Sequence, residues 1–289
     1  MLPFAPARQC GNPATLGGYV GPLDALASNL DAAWSVSRRL LASYSGPLIR
    51  VRRSSNNDEE DIGYDANGNL NTTALLAFTG AGSGFVTTIY AQVGAKNLVQ
   101  ATGVFQPRIV ASGVVDTTGG NSRPAACTTS ANAQRMATAA FTTMTGTSLT
   151  LNGVMFIPAS SGRLFGANPS GGNDSSSDGW LPVYMSSSTA IKSYEGSSDR
   201  TSITLGTPLL TAFSSRAIGS GHSLRANGSS NSASFTGSAK NLVNYLLWCY
   251  NPTTPLSPSG SKFCEAAVWT ADVDASMAAL ISAQQTYFG

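Results

Sequence analysis

The sequence predicts an all-β fold, an antiparallel sandwich built as one domain, and three observations carry that prediction. Short apolar runs recur between clusters of Gly, Ser and Asn, the pattern of many brief strands joined by tight turns. Only 11% of the 289 residues are charged, roughly half the usual share, and Ser, Thr, Asn and Gly fill the space between the apolar runs. No period of roughly 20–50 residues recurs, which excludes solenoids and propellers. A chain of this length buries a full core without dividing.

Taken in order, residues 1–21 carry Pro3, Pro6 and Pro13 and four glycines with little periodicity, and are expected to form an extended arm. From Pro22, Leu23, Leu26, Leu30, Ala33, Trp34 and Leu41 recur at spacings of mostly three and four, which predicts an amphipathic helix over 22–44. Such an arm and helix either dock into a neighbouring subunit or cover one open end of the sandwich. Tyr44-Ser45-Gly46-Pro47 stops the helix, Leu48 to Val51 begins a strand, and Asn56 to Asp61 is a polar loop. Leu70 to Phe78 reads as a short helical turn, Phe85 to Tyr90 as a strand, and Gln106 to Val110 as a further extended piece. A polar connection holding Cys127 follows. Strands are then expected at 137–144, 153–158, 180–185, 190–194, 201–205, 209–214, 232–235, 242–250 and 263–269. The polar stretches 160–179, 193–200 and 215–232 read as loops, and Val273 to Phe288, with Asp272 as N-cap, as a closing helix.

The charges narrow the function. Net charge is +2 with no basic stripe, so nucleic acid is not expected as a partner. Arg50 and Arg52 fall on one strand face and Arg53 on the other, and pairing with the acidic run Asp58 to Asp61 accounts for them. That run matches no calcium motif, although its oxygens are the type calcium prefers. No metal or other cofactor is expected: the chain has one histidine, His222, read as an exposed loop residue, and no paired Cys-x-x-Cys. Gly80-Ala81-Gly82-Ser83-Gly84 precedes a strand and lacks the lysine of a phosphate loop. Cys249 and Cys264 either meet across a hairpin as a disulfide or are two buried free thiols. Neither a secretory signal nor a membrane span is expected. For sugar binding, which needs an aromatic ring with a few amides and carboxylates, Asn173, Asp174, Asp178 and Trp180 form the best group.

The stretches SRRLLASYSGPLIRVRRSS at 37–55, DIG at 61–63, GFVTTIYAQ at 84–92 and EAAVWTADVDASMAALISAQQTYFG at 265–289 resemble a known family. They are similar to the concanavalin A-like jelly roll of AbfB-type α-L-arabinofuranosidases and of structural proteins of tailed bacteriophages. The resemblance implies a jelly-roll sandwich, to which the spacing read above adds a leading and a closing helix. In the arabinofuranosidases it implies a Glu nucleophile on a mid-chain strand, with which Glu195 aligns loosely. It also implies an Asp acid in a Gly-Gly-Asp-Asn loop before the last strands, but residues 241–262 contain no Asp or Glu. Tyr90-Ala91-Gln92 replaces the family's Tyr-Asp-Gln, and its vicinal cysteine pair is absent. Glu265 matches a glutamate outside the catalytic pair.

With the acid missing, the expected function is a non-catalytic phage virion protein, displayed on a tail, baseplate or capsid. It would be present in multiple copies, assembled in the host cytoplasm, and joined to other virion proteins through its arm and helix, with host glycan as a further partner. The alternatives are an arabinofuranosidase-like hydrolase using Glu195 with one of Asp174, Asp178 or Asp199, and a carbohydrate-binding module.

Overall fold

The computed structural model describes residues 18–289 except 147, 176–178, 188, 196–197, 207–208, 219–220 and 235–239. Antiparallel strands dominate it, as expected, and they form two extensive ladders. In one, Ser148–Ile157 lies between Leu209–Ile218 and Lys262–Trp269; the latter pairs onward with Leu30–Ser35. Beyond Leu209–Ile218 come Gly221–Ala226 and Ser229–Ser234. In the other, Lys240–Leu247 pairs with Gly162–Pro169, and Trp180–Met185, Ala190–Glu195 and Ser198–Thr204 follow as successive antiparallel neighbours. Ile49–Arg53, Glu59–Ile62, Gly84–Ile89 and shorter strands complete this side and bridge to the first ladder.

One large apolar core fills the space between them. Trp34 from the first ladder packs on Phe165 and Tyr245 from the second, at centroid distances of 5.8 and 5.4 Å. All four tryptophans are fully buried. Gly153 permits the close packing: a Cβ there would stand 2.9 Å from the Phe213 ring and 3.1 Å from the Glu265 carbonyl.

Several expected elements are corrected. Residues 22–44 do not form a helix: Asp24–Leu26 is a single 3-10 turn and Leu30–Ser35 is a strand. Ala32, Ala33 and Trp34 are all at 0% exposure, so both faces of this strand are covered. A strand buried on both faces carries a continuous apolar run, which periodicity cannot separate from a helix. The polar stretches at 160–179 and 215–232 contain the strands Gly162–Pro169 and Gly221–Ala226. His222 is therefore a buried strand residue and not an exposed loop histidine. The arm at 1–21 lies almost wholly outside the described residues.

Other expectations hold. Thr72–Thr79 is a helix whose N-cap Asn71 accepts a hydrogen bond from the Ala74 N–H, and Asp274–Phe288 closes the chain as a helix burying Met277, Leu280, Ile281 and Phe288. Its N-cap is Val273, and Asp272 instead accepts from the Asp274 N–H at 3.0 Å. Arg50 pairs with Glu59 and Asp61, and Arg53 with Asp58, whereas Arg52 bonds Gln106 and Asn57 and no acid. Glu59 to Asp61 is itself strand and not loop.

Cys249 and Cys264 are free thiols, not a disulfide. The intervening segment does not join their strands as a hairpin: Cys249–Asn251 turns back onto Thr254–Pro255, and Cys264 packs against Ile281 and Phe288 of the closing helix. Burial pushes both thiols well above their ordinary pKa. Cys127, Cys249 and Cys264 should thus resist a thiol reagent in the native protein and react within the mixing time in denaturant. Rapid native labelling of any of the three would contradict this arrangement.

Candidate active site

A row of polar side chains crosses four strands. Arg163 stands opposite Tyr184, Tyr184 opposite Lys192, and Lys192 opposite Ser202 in the antiparallel registers, so all four share a face. Where Tyr194 faces Asp199 the register shifts, and Asp199 meets the row. Its carboxylate accepts from the Tyr184 hydroxyl and from Lys192 Nζ, the latter at 2.6 Å. Tyr194 packs edge-on against the Tyr184 ring.

Asp174 enters from the turn after Gly162–Pro169. Two glycines make its seat: a Cβ on Gly166 would stand 2.9 Å from the Asp174 Cβ, and one on Gly179 would stand 2.7 Å from its carbonyl oxygen. The Asp174 N–H donates to the Tyr250 carbonyl at 3.1 Å, which fixes the turn against Cys249–Asn251. Its carboxyl group is fully enclosed. Arg163 Nε lies 3.1 Å away as an ion-pair partner, yet neither carboxyl oxygen accepts an aligned hydrogen bond. The guanidinium itself sits between the Tyr184 and Tyr250 rings, 5.4 and 5.5 Å from their centroids.

The two carboxyl groups are shifted in opposite directions. Burial raises Asp174 to about 7, and the nearby Arg163 charge offsets only part of that cost. At Asp199 partial burial pushes upward, but hydrogen bonds from Lys192 and Tyr184 and the Lys192 charge outweigh it, leaving the carboxyl below its usual range. A neutral acid and an ionised carboxylate joined through one arginine and one tyrosine is the pattern of an acid and base working together.

The structure redistributes the residues singled out for sugar binding. Asn173 and Asp174 share this turn, and Asn173 Oδ1 accepts from the Ser175 N–H and hydroxyl. Asp178 lies outside the described residues. Trp180 is at 0% exposure in the core, so its ring cannot stack on a sugar, which corrects that assignment. Glu195 ends the Ala190–Glu195 strand beside Tyr194. Arg163, Tyr184, Lys192 and Tyr250 escaped sequence reasoning. Alternation along 180–185 and 190–194 places Lys192 and Tyr194 on one face, but the register that adds Tyr184 and Arg163 is not in the pattern.

A family model described as the catalytic domain of α-L-arabinofuranosidase B matches residues 25–150. Two solved structures cover 91% of this chain at 17% identity. They are a GH54 α-L-arabinofuranosidase soaked with a cyclic sulfate inhibitor, with a TM-score of 0.70, and an arabinofuranosidase complexed with arabinofuranosyl-α-1,2-xylobiose, with a TM-score of 0.67. At that identity the likeness establishes the sandwich fold. The chain spans 65% of the length of each. No curated protein matches this chain. The relation to AbfB-type arabinofuranosidases is supported, whereas the expected phage virion protein is overturned. The matching family model is that of a catalytic domain, and both of these structures are glycosidases. The expectation of a protein without catalysis falls with it.

Proposed function

We propose that this chain is a glycoside hydrolase of the arabinofuranosidase type, releasing arabinofuranosyl groups from a neutral xylan-like glycan. The observation that carries the proposal is the polar row that joins the enclosed Asp174, through Arg163 and Tyr184, to Asp199, with the two carboxyl groups shifted in opposite directions. Hydrolysis of a glycosidic bond needs one carboxyl group to protonate the leaving oxygen and a second to stabilise, attack or activate water at the sugar carbon. Asp174, neutral below about pH 7, is assigned the first role, and the ionised Asp199 the second. Arg163 stands against the enclosed Asp174 carboxyl, so proton delivery to a substrate requires its guanidinium to move away from it. The acid is assigned to the turn that carries Asp174 rather than to 241–262, and the Asp174–Tyr250 hydrogen bond brings that turn to the later segment.

Release of 4-nitrophenol from 4-nitrophenyl α-L-arabinofuranoside tests this. Wild-type protein is expected to turn over, with kcat falling as pH rises through about 7. Asp174→Asn and Asp199→Asn are each expected to lower kcat on the order of 10²–10⁴-fold. Full activity in both variants with loss only in Glu195→Gln would move the carboxylate role to Glu195. Wild-type protein that binds arabinoxylan but never cleaves the aryl glycoside would leave a binding module in place of an enzyme.

A further inference from the structure

A cleft of about 700 Å³ opens beside Ile49–Arg53, among Arg52, Phe85, Gly103, Val104, Gln106 and Gln134. That volume is of the order that small-molecule sites occupy. One cation in it lacks an anion. Glu59 also borders the cleft, but its carboxylate is taken by Arg50, which donates to it from Nε at 2.8 Å. Arg52 meets only neutral amides: Nε donates to Gln106 Oε1 at 2.8 Å and Nη1 to Asn57 Oδ1 at 2.7 Å. These bonds fix the guanidinium 5.0 Å from the Phe85 ring centre without cancelling its charge. Nη2 has no hydrogen-bond partner among the described residues. Gly103 leaves the way to it open, since a Cβ there would stand 3.4 Å from Nη2.

A second cation adds to the bias. Arg135 follows Gln134, and its N–H donates at 3.1 Å to the carbonyl of Phe105, the residue between Val104 and Gln106 of the cleft. Its guanidinium carbon lies 3.8 Å from the Phe105 ring centre, and its Nε donates to the Pro252 carbonyl at 3.2 Å. Arg135 is only 9% exposed, forms no ion pair among the described residues, and leaves Nη1 without a partner. A buried positive charge with no counter-charge favours an anion nearby, because little water screens it.

The remaining surface indicates what the anion carries. Val104 is 72% exposed, and Ala101, Ala133 and Phe85 border the same cleft. A bare inorganic ion would leave these apolar positions unused, and a neutral molecule would leave the Arg52 charge unmatched. A carboxylate pairs with a guanidinium through charge-assisted hydrogen bonds. The amides beside it are already held: Gln106 Nε2 donates to the Gln100 carbonyl at 3.0 Å, and Gln134 Oε1 accepts from the Thr129 N–H at 2.9 Å. Groups fixed in this way lose little freedom when a ligand arrives.

We infer that this cleft binds an organic carboxylate, with its charged group on Arg52 Nη2 and its apolar body against Val104 and the neighbouring alanines. The inference goes beyond the glycosidase reading and does not rest on it. Backbone-amide NMR titrations of the full chain test it, with phenylacetate, phenylacetamide and inorganic phosphate as probes. Phenylacetate is expected to shift the Gly103 and Ser130 amides saturably, with an affinity at least tenfold above that of the other two probes. Arg52→Gln removes the charge, whereas Gly103→Val keeps it and covers Nη2. Each is expected to weaken phenylacetate binding at least tenfold, with the amide spectrum away from the cleft unchanged. If Arg52→Gln fails to fold, Gly103→Val decides alone. Equal affinity for phenylacetate and phenylacetamide, unchanged affinity in either folded variant, or no saturable shift at these residues overturns the assignment. Phosphate that binds as tightly as phenylacetate overturns the organic-carboxylate class.

Discussion

Glu265→Ala is expected to cost about 3–5 kcal/mol of folding stability, among the largest losses from any single substitution in this chain. Arg38 donates from Nε and Nη2 to the two Glu265 oxygens at 2.9 and 2.8 Å, and the side chains are only 10% and 3% exposed. Gln284 from the closing helix donates to the same carboxylate at 3.0 Å and also bonds Asn152. The guanidinium lies 4.0 Å from the Tyr287 ring centre. Removing the carboxylate leaves a buried cation without its acceptor and takes one of two acceptors from the Gln284 amide. Urea unfolding of the single variant and of Arg38→Met/Glu265→Leu separates the two contributions. The double variant is expected to be more stable than Glu265→Ala, because no unpaired charge remains. A loss below about 1 kcal/mol in the single variant would contradict the assigned pairing.

Asp174 makes the protein less stable as pH rises through the acid range. Its folded carboxyl titrates near 7, above the ordinary value of about 3.9, so the native state binds this proton more tightly than the unfolded chain does. The resulting contribution is complete below about pH 4, declines between about 4 and 7, and is absent above that. Its full extent is on the order of 4 kcal/mol. Asp174→Asn removes this decline, so the variant should gain on wild type steadily from pH 4 to pH 7 and hold a constant advantage at pH 8. Parallel stability curves for the two proteins across that range would show that Asp174 is not held neutral. The same enclosure would weaken the fold and equip the site, a common trade at catalytic centres.

The sandwich was legible because its turns are chemical signals: the stretch 180–194 reads as two strands with Ser and Thr between them, and the structure places strands there. The closing helix was legible for a similar reason, since residues 277, 280, 281 and 288 repeat at helical spacing and face the core. Leu30–Ser35 failed because burial on both faces removes the alternation that marks a strand. Gly162–Pro169 failed because Gly, Asn and Ser surround it, and only its neighbours on both sides in the ladder make it a central strand. The candidate site was half visible. Asp174 and Asp199 stood out as acids in polar stretches, but Arg163, Tyr184 and Tyr250 join them through register and a single backbone hydrogen bond, neither of which a linear pattern contains. Residues 241–262 hold no acid, and Asp174 reaches that segment only in the folded chain, through its hydrogen bond to the Tyr250 carbonyl.

The pairing of Leu30–Ser35 with Lys262–Trp269 sets the order in which the molecule can assemble. Trp34 opposes Ala266, and Ser35 opposes Glu265, across more than two hundred intervening residues. A ribosome must therefore deliver nearly the whole chain before this first strand finds its neighbour, and closing so long a loop slows folding. Until then the Ala32-Ala33-Trp34 segment is an apolar strand with open edges, the kind that recruits other chains. Yield on synthesis should thus depend on chaperone supply and temperature more than the finished sandwich, with this strand paired and covered, would suggest.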